Sequence, residues 1–383
     1  MEILLSPQHQ KLREEFRQFV DEEIVPNAGK FDKEENMPVE LIKKMGDKGY
    51  LGANVPTKYG GKGLDALSLG ILNEEFGRGY SSTQNILTVY GMVLQAILRC
   101  GNNQQKEYWI PKIISGELIV AYGLTEPNTG SDIKSLETVA SKIGDEYIIQ
   151  GEKMWITLAQ VASLFLVFAK EKGEPVAFLV ERKTPGLQVE PTFGLLGLRA
   201  NMLGKVSFDQ CRIPEDNIIG KMGTGFSHVA SFSLDIGRYT TAWGCVGLGQ
   251  ACLDACRKYT ETRKQFGDAI KKHQLIQKKM SEMIVDVRAA RQLCFYSSCL
   301  REACDPESPF ETLVAKYYGS AMVNRVAGNA VQIHGANGCG SEYPVQRYYR
   351  DAKIMEIIEG TSQMHEIMIA NNYSKSGCGK DRF

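Results

Sequence analysis

The sequence has no surplus of charge of either sign. Its 383 residues carry 45 Lys+Arg against 45 Asp+Glu. Without a basic excess it lacks the electrostatic footprint of a nucleic-acid binder. Histidine is scarce, five in all at 9, 228, 273, 334 and 365. None falls into an H-E-x-x-H or H-x-x-x-H set, so no metal centre is expected. The ten cysteines contain no C-x-x-C pair; Cys252 and Cys256, one helical turn apart, read as two small apolar groups on one face. Scattered cysteines in a chain of this length read as reduced thiols in a cytosol rather than as a disulfide framework. There is no G-x-G-x-x-G after a strand, no G-x-x-x-x-G-K-[ST] and no G-x-S-x-G. A Rossmann NAD site, a P-loop and a serine-hydrolase elbow are therefore not expected. The longest apolar stretch, around Val161–Ala169, is too short to span a bilayer. The first residues lack the basic start and long apolar core of a signal peptide. The expected location is the cytoplasm, with neither membrane nor nucleic acid as a partner.

Apolar residues at 43% and charged residues at 23% suit a soluble globular chain, and its length predicts two or three domains. Residues 1–118 read as helical. Ser6-Pro7 is a cap with proline at the first helical position, followed by a stripe of Leu12, Phe16, Phe19 and Ile24. Further helical patterns cover Val39–Lys48, Leu67–Gly77 and Ser82–Cys100. From 119 to 222 the texture changes to short β-branched and aromatic runs at Ile119–Leu124, Tyr147–Gln150, Ser163–Phe168, Val176–Val180 and Val206–Phe208. Separated by Gly, Pro, Asn and Asp, these predict an antiparallel β domain. Residues 223–374 read as helices again, with Gly237, Gly244, Gly247 and Gly249 marking close helix contacts. The segment 375–383, polar and Gly-containing from Ser374 on, reads as a frayed tail. The fold class is α+β: helical block, β block, helical block.

Four segments are polar where simple structure needs no polarity. Leu124-Thr125-Glu126-Pro127-Asn128-Thr129-Gly130-Ser131-Asp132 closes the first strand and offers hydroxyls and backbone donors to a ring or phosphate. Lys153-Met154-Trp155-Ile156-Thr157 places an indole and a hydroxyl two residues apart, on one face of a strand. Arg263-Lys264-Gln265-Phe266-Gly267, with Gln274 beyond, ends a long helix; an Arg beside an aromatic can grip a phosphate and cover an adenine. In Lys353-Ile354-Met355-Glu356-Ile357-Ile358-Glu359-Gly360-Thr361-Ser362-Gln363, Glu356 can pair with Lys353. Glu359 follows an apolar run, where desolvation raises a carboxyl toward the range of a useful base. Taken singly, each segment also has an ordinary reading as a surface turn, a core aromatic, a solvated Arg or a helix-end carboxylate.

Together, in this order and spacing, the segments resemble the acyl-CoA dehydrogenase family of flavoproteins, from the N-terminal helices to about Asn372. The resemblance implies an N-terminal helical domain, a middle β domain and a C-terminal four-helix bundle. It implies non-covalent FAD and a homotetramer or homodimer. The implied reaction is introduction of an α,β double bond into an acyl thioester of CoA or acyl carrier protein, with electron-transfer flavoprotein as a partner. Residue by residue, Leu124, Thr125, Gly130 and Ser131 would line the flavin and the thioester arm, and Trp155 and Thr157 the ring. Arg263, Gln265, Phe266 and Gln274, with Gln332 and Gly335, would reach the FAD of a neighbouring subunit. Thr361 and Gln363 would bind FAD beyond the base. Arg238, with Ser131 and Gly360, would contact substrate. Glu359 matches the base of the larger branch, taking the α-proton while the β-hydride leaves for flavin N5. A second branch carries its base directly before the Arg equivalent to Arg238, where this sequence has Gly237. Leu158-Ala159, Ile358 and Asn201-Met202-Leu203 depart from the pattern of fatty-acid enzymes. The last two resemble members acting on carrier-tethered groups in secondary metabolism, some of which oxidise a hydroxyacyl group for extender-unit synthesis.

Overall fold

The computed structural model describes residues 5–375. The N-terminal block holds α1 (Pro7–Phe19), α2 (Ala28–Glu34), α3 (Val39–Asp47), α4 (Ala66–Gly79), α5 (Ser81–Cys100) and α6 (Asn103–Ile114). Their starts are set by local chemistry. Ser6 accepts from the N–H of His9 ahead of Pro7, and Asp65 accepts from the N–H of Ser68. Asn102 and Gln105 form a reciprocal capping box.

The middle block holds β1 (Val120–Gly123), β2 (Val139–Ile143), β3 (Glu146–Ile156), β4 (Leu164–Glu171), β5 (Glu174–Glu181), β6 (Leu187–Pro191), β7 (Gly204–Pro214) and β8 (Ile218–Ile219). The sheet runs β6-β7-β3-β2-β4-β5-β8, with β1 joined to β4. The expectation of a purely antiparallel sheet needs correction. β1 pairs with β4 in parallel, Val120 opposite Leu164 through Gly123 opposite Val167, and β2 touches β4 in parallel at Val139–Lys170. The chain passes through β2 and β3 before returning to β4, and a crossover of that length permits parallel pairing. Neither β2 nor β6 was legible as a strand: four of the five β2 residues are exposed, and the alternation of β6 is limited to Leu187 and Val189 before Pro191, with the other three residues exposed.

The C-terminal block contains the three long helices α7 (Ser231–Thr262), α8 (Gln274–Glu302) and α9 (Ser308–His334), then α10 (Val345–Met355) and α11 (Ser362–Lys375). Glycine lets α7 lie against α4: a Cβ on Gly247 would stand 1.9 Å from the carbonyl oxygen of Glu74. A small hairpin, β9 (Lys264–Gln265) and β10 (Asp268–Ala269), links α7 to α8. α11 runs beyond Asn372 to Lys375, while the rest of the expected tail, with Cys378, lies outside the described residues. No helix among the described residues is long and apolar enough to cross a membrane.

Candidate active site

Glu359 stands in a two-residue left-handed turn between α10 and α11, with φ of 56° there and 98° at Gly360. A non-glycine residue in that region is strained and persists only where its surroundings hold it. Here two cations from different helices hold it. Arg238 on α7 donates Nε–H to the Glu359 carbonyl at 3.1 Å, and Lys316 on α9 donates to the Gly360 carbonyl at 2.7 Å. His365, one turn into α11, donates Nδ1–H to the Thr361 carbonyl at 3.0 Å, and burial keeps its imidazole neutral, pushed down to about 4.

The Glu359 residue keeps some surface, but its Oε2 is sealed from solvent and has no hydrogen-bond partner. Desolvation pushes its carboxyl up to about 7, against the opposing pull of Arg238 and Lys316. Space for it comes from α7. A Cβ on Gly237 would lie 2.5 Å from Oε2 and 3.0 Å from the Met92 sulfur, so the carboxylate occupies the volume that this glycine leaves open. The Tyr122 hydroxyl on β1, also unpartnered, lies within the field of Glu359 and is held protonated by burial.

The two β-block motifs meet beside Tyr122. The N–H of Met154 donates to the Thr125 carbonyl at 2.9 Å. Lys153 and Glu126, both fully buried, pair at 2.7 Å, and Glu126 also accepts the N–H of Thr138 at 2.9 Å. This pair fixes the Thr125 loop against β3. Trp155 and Thr157 do not alternate along a regular strand, as the sequence suggested. A bulge between Lys153 and Ile156 gives Trp155 a φ of 62°, and Thr157 lies past the end of β3. The bulge turns the indole outward, 53% exposed, while the Thr157 hydroxyl accepts from Asn85 at 3.4 Å. An apolar wall on a rigid sheet, edged by hydroxyls and by the exposed Gly130 and Ser131, fits a flavin ring.

Elsewhere, Arg263 caps α7, and Phe266-Gly267 forms the tip of the β9–β10 hairpin. Phe266 is 96% exposed, and Gln265, Gln274, Gln332 and Gly335 are exposed as well. Tyr259 ties the end of α9 to this region by stacking on His334, with ring centroids 4.1 Å apart. Thr361 and Gln363 follow Glu359 at the start of α11. The Met154–Thr125 and Lys153–Glu126 contacts therefore join the Thr125 loop to the strand of Trp155, with Tyr122, two residues before Leu124, in the field of Glu359. Arg263–Gln274 lies on the exposed connection between α7 and α8. Lys316, Lys153, Tyr122, Asn85 and His365 escaped the sequence reading. Lys316 had a signal: it shares a buried helical face with Leu313, Ser320 and Val323, where a lysine is out of place. A cavity of about 1200 Å³ between α1, α4, α7 and α8, lined by Arg17, Arg78, Arg257 and Arg291 among others, contains none of these site residues.

Comparison with known proteins gives three successive family matches: "Acyl-CoA dehydrogenase, N-terminal domain" over residues 6–117, "Acyl-CoA dehydrogenase, middle domain" over 121–211 and "Acyl-CoA dehydrogenase, C-terminal domain" over 223–374. The chain is 39% identical to the mitochondrial short-chain specific acyl-CoA dehydrogenase of Rattus norvegicus, over 98% of this chain and 92% of that protein. Butyryl-CoA dehydrogenase from Megasphaera elsdenii superposes with a TM-score of 0.93 at 30% identity, covering 97% of this chain and 99% of that one. The prolyl acyl carrier protein oxidase AnaB superposes with a TM-score of 0.92 at 28% identity, covering 96% and 99%.

Proposed function

Since the chain belongs to the acyl-CoA dehydrogenase family and is an FAD-dependent oxidoreductase, we propose that Glu359 is the base that takes the α-proton of its acyl-thioester substrate. The observation that carries this is the sealed, unpartnered Oε2, whose carboxyl is raised to about 7. A base poised near neutrality combines a useful ionised fraction with a strong drive to accept a proton. The left-handed turn, held by Arg238 and Lys316, fixes the direction of the carboxylate. The sealed carboxylate oxygen, with Met92 beside the same glycine and Tyr122 in its field, is kept from water, which strengthens charge interactions within the site.

Leu124, Thr125, Gly130, Ser131, Trp155 and Thr157 would hold the flavin ring, with Thr361 and Gln363 beyond the base. The bound FAD supplies the acceptor for the β-hydride. Arg263, Gln265, Phe266, Gln274, Gln332 and Gly335 would serve the cofactor of a second copy in a homo-oligomer. The near-complete exposure of Phe266, at the tip of the β9–β10 hairpin, supports that role. Ser131, Arg238 and Gly360 are the proposed substrate contacts.

The substrate class is the acyl thioester of CoA, and the structural likeness to AnaB keeps a carrier-protein thioester as the alternative. Anaerobic addition of acyl-CoA and acyl-carrier-protein thioesters to the yellow holoenzyme tests the reading. Bleaching of the flavin by an acyl-CoA supports it. Bleaching by carrier-bound acyl groups alone transfers the assignment to that class, and no bleaching across the panel contradicts both.

A further inference from the structure

The proton-accepting turn is supported from behind by a lysine that the family assignment leaves without a role. Lys316 is fully buried on α9, and its ammonium reaches the carbonyl of Gly360, the residue after Glu359, at 2.7 Å. Arg238 holds the preceding carbonyl from α7. Two consecutive left-handed residues are thus clamped by one cation each, from two helices of the bundle. A buried ammonium with no carboxylate on it is costly to maintain, and the packing has kept it at a turn where a strained carboxylate is aimed. On this geometry we propose that Lys316 is a positioning residue of the reaction: it holds the Glu359–Gly360 turn through the Gly360 carbonyl, and its charge favours the ionised form of Glu359. The inference rests on the reading of Glu359 as base.

The charged and titratable groups that face this corner come from every packed element. Arg238 comes from α7, with Asp235 beside it already paired to Arg301 at 2.8 Å. Cys245, also on α7, is buried and held as the thiol. Glu356 pairs with Lys353 at 2.7 Å, as the sequence indicated. Tyr122 on β1 and His365 on α11 are both neutral. Burial lowers Lys316 itself to about 8, which leaves it mostly charged at neutral pH. Lys316 and Arg238 are therefore the two cations acting on Glu359.

The test uses the purified holoenzymes of wild type, Lys316→Met, Lys316→Gln and Glu359→Gln. The first readout needs no turnover: infrared titration of the buried carboxyl band, identified by its loss in Glu359→Gln. Removing the lysine charge should move its midpoint upward by ~0.5–1 pH unit in both lysine variants. The second readout is the anaerobic rate of flavin bleaching by butyryl-CoA. Lys316→Met should slow it ~10-fold or more with half-saturation little changed, and Lys316→Gln, which keeps a donor for Gly360, should be slowed less. If Lys316→Met does not retain flavin, Lys316→Gln carries the titration. An unmoved midpoint in a folded lysine variant overturns the inference, even when Glu359→Gln is inactive. An active Glu359→Gln overturns the assignment of the base instead.

Discussion

Gly237 and Glu359 compete for one volume: a side chain beginning at Gly237 would meet Oε2 of Glu359 within 2.5 Å. The position of this carboxylate therefore depends on a glycine 122 positions earlier in the chain (359 minus 237). A methyl group is enough to test this dependence. Gly237→Ala should keep the flavin and slow its anaerobic reduction by ~10–100-fold, because ångström-scale displacement of a reacting group costs about that much. Stopped-flow absorbance at saturating acyl-CoA measures it. An unchanged rate would mean that Oε2 is not where proton transfer occurs.

The raised carboxyl of Glu359 has consequences for both rate and stability. The rate of flavin reduction should rise with pH through about 7, as the carboxyl loses its proton. For stability the sign is the reverse. A carboxyl higher in the folded than in the unfolded chain contributes stability that is full below the unfolded value near 4.5 and is lost as pH rises through about 7. Glu359→Gln should accordingly raise the melting temperature more at pH 8 than at pH 5, by thermal unfolding at both values. Equal shifts at the two pH values would contradict a desolvated carboxyl.

The buried Lys153–Glu126 pair joins two segments that the sequence reading treated separately. Glu126→Ala strands the Lys153 ammonium, which then keeps only the Leu124 carbonyl at 3.3 Å. Removing one partner of a buried pair typically costs ~3–5 kcal/mol, and this loss should release flavin as well. Lys153→Met should cost less, because Glu126 still accepts from Thr138. Denaturant unfolding and the flavin-to-protein absorbance ratio check the order. Equal stability of Glu126→Ala and wild type would show that the pair does not organise the site.

Local patterns carried the helices in the sequence and lost part of the sheet. The Ser6-Pro7 start of α1 and the apolar face of Phe16 and Phe19 were readable because a cap and a 3.6-residue period are contained in a few neighbours. The parallel pairing of β1 with β4 was not, since it depends on residues more than forty positions apart. Glu359 stood out through the apolar run before it. Lys316 and Gly237 could be recognised as its support only once three helices were packed together. The same holds for the departures at Leu158 and Asn201. They are distant in the sequence yet joined in space, the Leu158 N–H donating to the Asn201 carbonyl at 2.9 Å.

Proton abstraction by Glu359, in a site that otherwise holds its flavin, is tested most directly by anaerobic bleaching of bound flavin by acyl-CoA in the Glu359→Gln holoenzyme, followed at the flavin absorbance beside wild type. The variant should be a yellow protein with full flavin content whose bleaching is slowed by ~10²–10⁴-fold. Bleaching at a near-wild-type rate would contradict proton abstraction by Glu359.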